Sequence, residues 1–313
     1  MGEEYAKEFV ELVDKAKAVS KPLRVVLAGA DSENMLRAIF DAETDGFVKP
    51  VLVGNRDRIF TILKKLELTD RDYDLQPIND DTNPVQYSIE MINAGKGDCL
   101  MRGNTQTKDF LMPVLNKMNH LIREDALVTH VVFLKIPEQE KICAFSDVTV
   151  VVKPSMERKK QIVRNMVRAM NVMEKTHPSI ALLDLVETPS FNLRDSVEAQ
   201  TIVMEHRNHP IADCELIGPI PWDLIISKEA AQLKGYDCPY CGEFDGVVVP
   251  DLMSGNLLTK TLQHSCHATG YGILVGAKIP IAISSRSDTP EQSYLSLAAC
   301  AVMKDSKDPV YFK

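Results

Sequence analysis

Long apolar runs, abundant aromatic residues and an excess of basic charge are all missing from this chain of 313 residues. No apolar stretch approaches the ~20 residues a membrane span needs. The amino terminus, Met1-Gly-Glu-Glu-Tyr-Ala-Lys-Glu-Phe-Val, is acidic and amphipathic, unlike a signal peptide. Thirty-six Lys and Arg stand against 44 Asp and Glu, a formal net charge of -8. No segment gathers enough basic residues to reverse that balance locally, which excludes a phosphate-backbone footprint on nucleic acid. Small anions stay compatible, since a few Arg residues in a cleft bind them even on an acidic protein. The single tryptophan, Trp222 beside Pro221, reads as a packing anchor rather than a base-stacking platform. There is no sequence repeat, low-complexity tract or Gly/Ser linker, no Gly-x-Gly-x-x-Gly after a strand and no metal-binding Asp trio. The seven cysteines are odd in number and mostly sit in apolar segments. Without an export signal, that favours reduced, buried thiols and a cytoplasmic location.

What is present is an ordinary globular composition, 45% hydrophobic and 26% charged, on a chain long enough for two domains with separate cores. Short β-branched runs alternate with amphipathic stretches almost from end to end. Leu-Arg-Val-Val-Leu-Ala, from Leu23 to Ala28, predicts a strand that ends at Gly29. Asp31 is placed to cap a helix whose Met35, Leu36, Ile39 and Phe40 share one face. A second strand is expected at 48–54 and a helix at 57–66. Further strands are expected at 98–101, 130–135, 148–152, 180–185, 246–249 and 272–275. Helices are expected at 84–94, 107–119, 156–175, 196–205, 256–266 and 290–303. Such alternation implies an α/β protein whose mainly parallel sheets carry helices on both faces, with ligands beyond the carboxyl ends of the strands. The charged interruption Pro137-Glu-Gln-Glu-Lys141 suggests a first α/β domain over 1–140, completed by a C-terminal helix at 290–313, and a second over 141–289.

Near the carboxyl end, Ile279-Pro-Ile-Ala-Ile-Ser-Ser-Arg-Ser-Asp-Thr-Pro-Glu-Gln292 reads as a strand that stops at Ser285-Arg286 and runs into a helix. Thr289 suits the N-cap, Pro290 the first helical position, and Gln292 completes a capping box. A helix N-terminus offers unpaired N–H groups and partial positive charge, so an Arg and a hydroxyl just before it make an anion clamp. Three other segments join a strand to a polar turn and a helix start. Leu100-Met-Arg-Gly-Asn-Thr-Gln-Thr-Lys-Asp109 sets Arg102, Thr105 and Thr107 at a strand end. Leu216-Ile-Gly-Pro-Ile-Pro-Trp-Asp223 is the second, and Val249-Pro-Asp-Leu-Met-Ser-Gly-Asn-Leu-Leu-Thr-Lys260 the third. Asn256 there is a candidate N-cap, with Lys260 one turn on. Together the four supply hydroxyls, two Arg, two Lys and helix N-termini, but no nucleophile–base pair and no His cluster. That inventory suits binding and orienting a phosphate-bearing substrate better than forming a covalent intermediate.

In order and wording these segments resemble the phosphate acetyl/butyryltransferases, on the phosphotransbutyrylase side. Members carry a segment like Met-Lys-Gly followed by Thr-Ala-Asp, matched here by Met101-Arg-Gly103 and Thr107-Lys-Asp109. Pro50-Val-Leu-Val-Gly54, Gly218-Pro219 with Asp223, Pro250-Asp251, Gly255-Asn256, Lys260 and Ser285-Arg286 are similar too, and the resemblance runs from about Lys21 to Met303. It implies a two-domain α/β/α fold like that of isocitrate dehydrogenase, an interdomain active-site cleft and homo-oligomers. It also implies reversible exchange of a short, butyryl-like acyl group between CoA and inorganic phosphate, by direct attack in a ternary complex. Acyl-CoA and phosphate are then substrates, with no separate cofactor and no metal. By position, Ser285 would stabilise the tetrahedral centre or leaving group and Arg286 would hold the phosphoryl oxygens, with Arg102, Thr105, Thr107, Asn256 and Lys260 binding phosphate or CoA.

Two positions depart from the family pattern. Seven residues after the Ser of Ser-Arg, the acetyl branch has an Asp proposed as general base; this chain has Gln292, leaving Asp288 and Glu291 as nearby carboxylates. Met112 stands where relatives usually carry a phosphate-binding Arg. These departures keep open a catalytically weak relative that binds acyl-CoA or phosphate and acts through partners; a dehydrogenase of the same superfold is the alternative among enzymes. Cys238-Pro-Tyr-Cys241 has the spacing of a redox dithiol or half a zinc site, for which His264, Cys266 and His267 are the available further ligands. Its loop setting favours a structural role. The stripe Met166, Met170, Met173 has helical spacing and reads as core, and His206 and His209 as a polar helix end.

Overall fold

The computed structural model describes residues 6–171 and 173–306, which divide into two compact units. Unit 1 takes the chain up to Val128 and again from Tyr271 onward, and unit 2 is Thr129–Gly270. The first leg of unit 1 runs α1 (Lys7–Lys17), β1 (Leu23–Ala28), α2 (Glu33–Thr44), β2 (Val48–Gly54), α3 (Arg56–Lys65), β3 (Asp74–Pro77), α4 (Pro84–Asn93), β4 (Cys99–Arg102) and α5 (Thr107–Leu115). Unit 2 follows with β5 (Thr129–Lys135), β6 (Ile142–Ser146), α6 (Met156–Asn171), β7 (Ser179–Leu183), α7 (Arg194–Asn208), β8 (Glu215–Ile220), α8 (Trp222–Ile226), α9 (Lys228–Lys234), β9 (Gly246–Val248) and α10 (Leu252–Ser265). The last leg carries β10 (Thr269–Val275), β11 (Ile281–Ala282) and α11 (Pro290–Asp305).

In unit 1 the strands lie in the order β3-β2-β1-β4-β11-β10, parallel except where β10 meets β11. β1 and β2 are buried almost throughout, as parallel strands covered on both faces must be. α11 packs against α1 and α2. Its small residues, Ser293, Ser296, Ala298, Ala299, Cys300 and Ala301, are all buried, so neighbouring elements approach it closely. Tyr294 sets its ring edge-on to Phe47 at 5.4 Å and donates its hydroxyl to Asp45. In unit 2 the order is β5-β6-β9-β7-β8, parallel apart from the β5–β6 hairpin. Val132, Phe145, Ile220, Leu224 and Val247 form its core, with Trp222 packed on the edge 6.1 Å from the Phe145 ring. Met166 and Met170 are buried on α6, whereas Met173 falls beyond the end of that helix.

Several boundaries differ from the sequence expectation, each for a local reason. The break lies at Val128–Thr129 rather than near 140, because residues 137–141 form the connection of the antiparallel β5–β6 hairpin inside unit 2. The chain returns to unit 1 at Tyr271 rather than 290, bringing two strands with α11; residues 307–313 of the expected terminal segment lie outside the described residues. The strand expected at 148–152 is a loop: the Asp147 carboxylate takes the N–H groups of Thr149 and Val150 at 2.8 and 2.7 Å, donors that a strand would give to a neighbour. Ser32, not Asp31, occupies the α2 N-cap, and Asp31 sits 3.7 Å from Arg58 instead. α5 stops at Leu115, and Asn116 then accepts from Met118 N to start a separate tight turn.

Candidate active site

The parallel register of β4 and β11, Ile281 opposite Leu100 and Ala282 opposite Met101, sets their carboxyl ends side by side. Arg102 closes β4, and Ser284, Ser285 and Arg286 follow β11. After Arg102 the chain turns so tightly that a Cβ on Gly103 would lie 2.0 Å from Gly29 O. Gly29 itself has φ +81°, a conformation that disfavours any side chain. Two glycines thus let the turns after β1 and β4 meet backbone to backbone.

Arg102 is only 5% exposed. Its Nε and Nη2 donate to Thr105 O at 3.1 and 2.7 Å, and its Nη1 donates to Ser284 O at 3.2 Å. The guanidinium is therefore a brace between two turns. Burial first, then the charge of Arg286, push its pKa down, and Asp288 works the other way. Thr105 Oγ1 is buried without a hydrogen-bond partner, and such a hydroxyl typically costs about 1–3 kcal/mol until it finds one.

Ser285 is half-buried and Arg286 exposed. Ser285 Oγ lies 2.9 Å from Ser287 Oγ. The turn is closed from both sides: Ser285 N donates to Asp288 Oδ2 at 2.6 Å, and Asp288 N donates to Ser285 O at 3.0 Å. Asn34 Nδ2 adds a bond to Asp288 O at 3.2 Å. One carboxylate oxygen of Asp288 is thereby committed to shaping the loop. Glu291 is exposed in the first turn of α11, close enough to Asp41 on α2 that its charge, after burial and Asp45, helps raise the Asp41 pKa. Gln292 donates its backbone N–H to Thr289 Oγ1 and returns its Oε1 to Thr289 N at 2.9 Å. The capping box read from the sequence is present, and it fully explains the amide.

Thr107 is the first residue of α5 and, like Lys108, is exposed. Met112, 61% exposed, lies farther along the same helix. The structure thus gathers Arg102, Thr105, Ser285, Arg286 and Asp288 at one strand end, with Thr107 and Glu291 at the starts of the adjoining helices.

Asn256 and Lys260 belong to unit 2, one turn apart on α10. Asp251, not Asn256, is the N-cap, accepting from Ser254 N at 2.8 Å in a capping box. Asn256 instead donates its Nδ2 to Val148 O at 3.3 Å, and Lys260 donates to Gln263 Oε1 at 3.3 Å. The loop that carries Val148 is held by a residue the sequence reading passed over. The buried Asp147 carboxylate accepts from His130 N at 2.9 Å as well as from Thr149 and Val150. An acid inside the apolar run Cys-Ala-Phe-Ser-Asp-Val-Thr-Val-Val, from Cys143 to Val151, was the available signal. His206, expected as a polar helix end, is buried: Nδ1 accepts from Ile211 N and Nε2 faces Cys214 O, both at 3.0 Å.

Two α/β units, and a strand end bearing two guanidinium groups and a Ser-Arg turn, suit an enzyme that handles phosphorylated substrates. The family model described as phosphate acetyl/butaryl transferase matches residues 74–302, and the chain belongs to this family of acyltransferases. It is 28% identical to the phosphate butyryltransferase of Clostridium acetobutylicum, over 96% of this chain and 99% of that one. It is also 28% identical to the phosphate acetyltransferase of Thermotoga maritima, over 93% and 98%. Among solved structures, a branched-chain phosphotransacylase from Enterococcus faecalis superposes with a TM-score of 0.77 at 25% identity, covering 90% of this chain and 99% of its own. The dehydrogenase reading gives way to this membership.

Proposed function

We propose that this chain transfers a short, butyryl-like acyl group reversibly between CoA and inorganic phosphate. One observation carries the reading. Arg286 stands close enough to Arg102 for its charge to depress the Arg102 guanidinium, and among the described residues the Arg286 side chain has no hydrogen bond or ion pair. Two adjacent cations, one locked onto carbonyls and one uncommitted, favour an anion between or beside them. A guanidinium grips two phosphoryl oxygens at once, which an ammonium cannot do.

In the forward direction a phosphate oxygen attacks the thioester carbonyl. The C–S bond then breaks, and the proton that phosphate carried ends on the departing CoA sulfur. Arg286 holds the phosphoryl oxygens, and the Ser285 hydroxyl donates to the charge that builds in the tetrahedral centre or on the leaving group. Arg102 positions the loop, while Thr105 and Thr107 supply hydroxyls near the anion. Asn256 and Lys260 are assigned to CoA or phosphate binding by their match to the family. With one Asp288 oxygen engaged by Ser285 N, Asp288 and Glu291 are the carboxylates to test as base. CoA enters as a substrate rather than a resident cofactor. The seven free thiols support a cytoplasmic setting, and a homo-oligomer is the assembly proposed; no described helix is long and apolar enough to cross a membrane.

The test is release of free CoA from butyryl-CoA with and without inorganic phosphate. Strict dependence on phosphate is expected. Release without phosphate would indicate a thioesterase, and no release from any acyl-CoA would leave only a binding protein. A panel of chain lengths then sets the acyl preference.

A further inference from the structure

Cys238 and Cys241 have no part in the acyl transfer proposed above. Both are free thiols in the segment between α9 and β9. Cys241 N donates to Cys238 O at 3.4 Å, closing a four-residue turn of the kind that keeps its end Cα atoms within about 7 Å. Disulfides span Cα separations of about 4.4–6.8 Å, so the backbone is already arranged for one. Their burial is unequal. Cys241 is 3% exposed and packs in the unit 2 core, whereas Cys238 is partly exposed. Both border a cavity of about 330 Å³ that Lys228, Gln232, Tyr236 and Pro239 also line, a volume at the lower end for small-ligand pockets.

Two familiar uses of this spacing do not fit. Among the described residues no group of three or more His, Cys, Asp or Glu is arranged to hold a metal ion, so a zinc ion would find two thiolates only. Burial and the neighbouring Cys238 push the Cys241 thiol up to about 12, opposite to the depressed thiols of catalytic dithiols, and Cys238 does not open a helix.

We propose that Cys238 and Cys241 form a modification site, a dithiol that a low-molecular-weight disulfide closes to an intramolecular disulfide. Cys238 sulfur, reached from the cavity, attacks one sulfur of the reagent, RSSR. The reagent's S–S bond breaks, one RSH leaves with the Cys238 proton, and a Cys238–SR mixed disulfide remains. Cys241 sulfur then attacks Cys238 sulfur, the mixed bond breaks and the second RSH leaves with the Cys241 proton. The two cysteines are oxidised by two electrons and RSSR is reduced by two. The buried thiol is a poor nucleophile in free competition, but its partner is held within one turn, and proximity offsets that handicap. Closure pins the connection from α9 to β9 and removes both sulfurs from irreversible oxidation.

Native full-length protein is incubated with excess cystamine, quenched with N-ethylmaleimide and digested with trypsin. Cleavage after Lys234 and Lys260 releases peptide 235–260, whose only cysteines are Cys238 and Cys241. The expected peptide is unalkylated, lighter than its reduced form by two hydrogen atoms, and restored by dithiothreitol. Cys241→Ser should retain the cystamine half on Cys238, and Cys238→Ser should slow modification of this peptide at least tenfold. The exposed Cys266 reports that reagent was effective. Doubly alkylated wild-type peptide alongside modified Cys266, or a persistent mixed disulfide in the wild type, overturns the proposal. Neither result bears on acyl transfer.

Discussion

Arg102 Nη1 donates to Ser284 O across 3.2 Å, so the end of β4 holds the backbone that delivers Ser285 and Arg286. Arg102→Lys keeps the charge but cannot span the carbonyls of Thr105 and Ser284. Carbonyls left unmatched in a buried setting predict a loss of about 1–3 kcal/mol in urea unfolding. A weaker apparent phosphate affinity should accompany it as the loop loosens. Unchanged unfolding together with unchanged kinetics would show that Arg102 is not a brace.

Arg286→Ala should raise the phosphate concentration for half-maximal rate more than Ser285→Ala does, because only Arg286 brings charge to the phosphoryl group. The expected cost in kcat/KM for phosphate is about 2–4 kcal/mol. Ser285→Ala should act chiefly on kcat. Small and equal effects from both would place the reacting centre elsewhere.

Met112→Arg tests whether position 112 faces the anion. Met112 is exposed on α5, and helical side chains lean toward the amino terminus, here toward Thr107. With Arg102 committed to carbonyls, an added guanidinium should lower the phosphate requirement and leave acyl-CoA affinity nearly unchanged. A folded variant with wild-type phosphate dependence would remove Met112 from the anion site.

Arg24 and Asp98 give a prediction in pH. Nε and Nη2 of Arg24 each donate to the Asp98 carboxylate at 2.8 Å. Burial alone would raise Asp98, but the Arg24 hydrogen bond and charge hold it below its ordinary value. A depressed carboxylate stabilises the fold above its unfolded pKa, about 3.9, and loses that contribution as pH falls through the lower folded value. The Tm advantage of wild type over Asp98→Asn should therefore be full at about pH 6 and shrink below about pH 4. An advantage independent of pH would argue against the ion pair.

The legible parts of the fold were those written in local chemistry. Thr289, Pro290 and Gln292 declare the start of α11 because a capping box needs only four consecutive residues, and the structure has that box. The end of β4 was legible from Arg102 and Gly103 for the same reason. Asp147 was not, because its importance lies in donors from His130, seventeen positions away, and no window on the sequence connects them. The β5–β6 hairpin shows the opposite error: a charged stretch at 137–141 resembles a linker until the pairing of Lys135 with Ile142 makes it a turn. Arg102 has a task its type did not announce: side-chain type points to an anion contact, while only geometry reveals that three of its five N–H donors go to carbonyls.

Unit 1 is assembled from two stretches of chain with the whole of unit 2 between them. Synthesis runs from the amino end, and domains close as their residues emerge. Unit 2 therefore has all its parts while β11, which flanks β4, and α11, which covers α1 and α2, are still inside the ribosome. A nascent chain stalled before Tyr271 would expose the flank of β4 and the inward faces of α1 and α2, making the amino-terminal half the first to emerge and the last to mature. Premature termination just before Tyr271 would leave a product with one finished unit and one that chaperones and proteases must deal with.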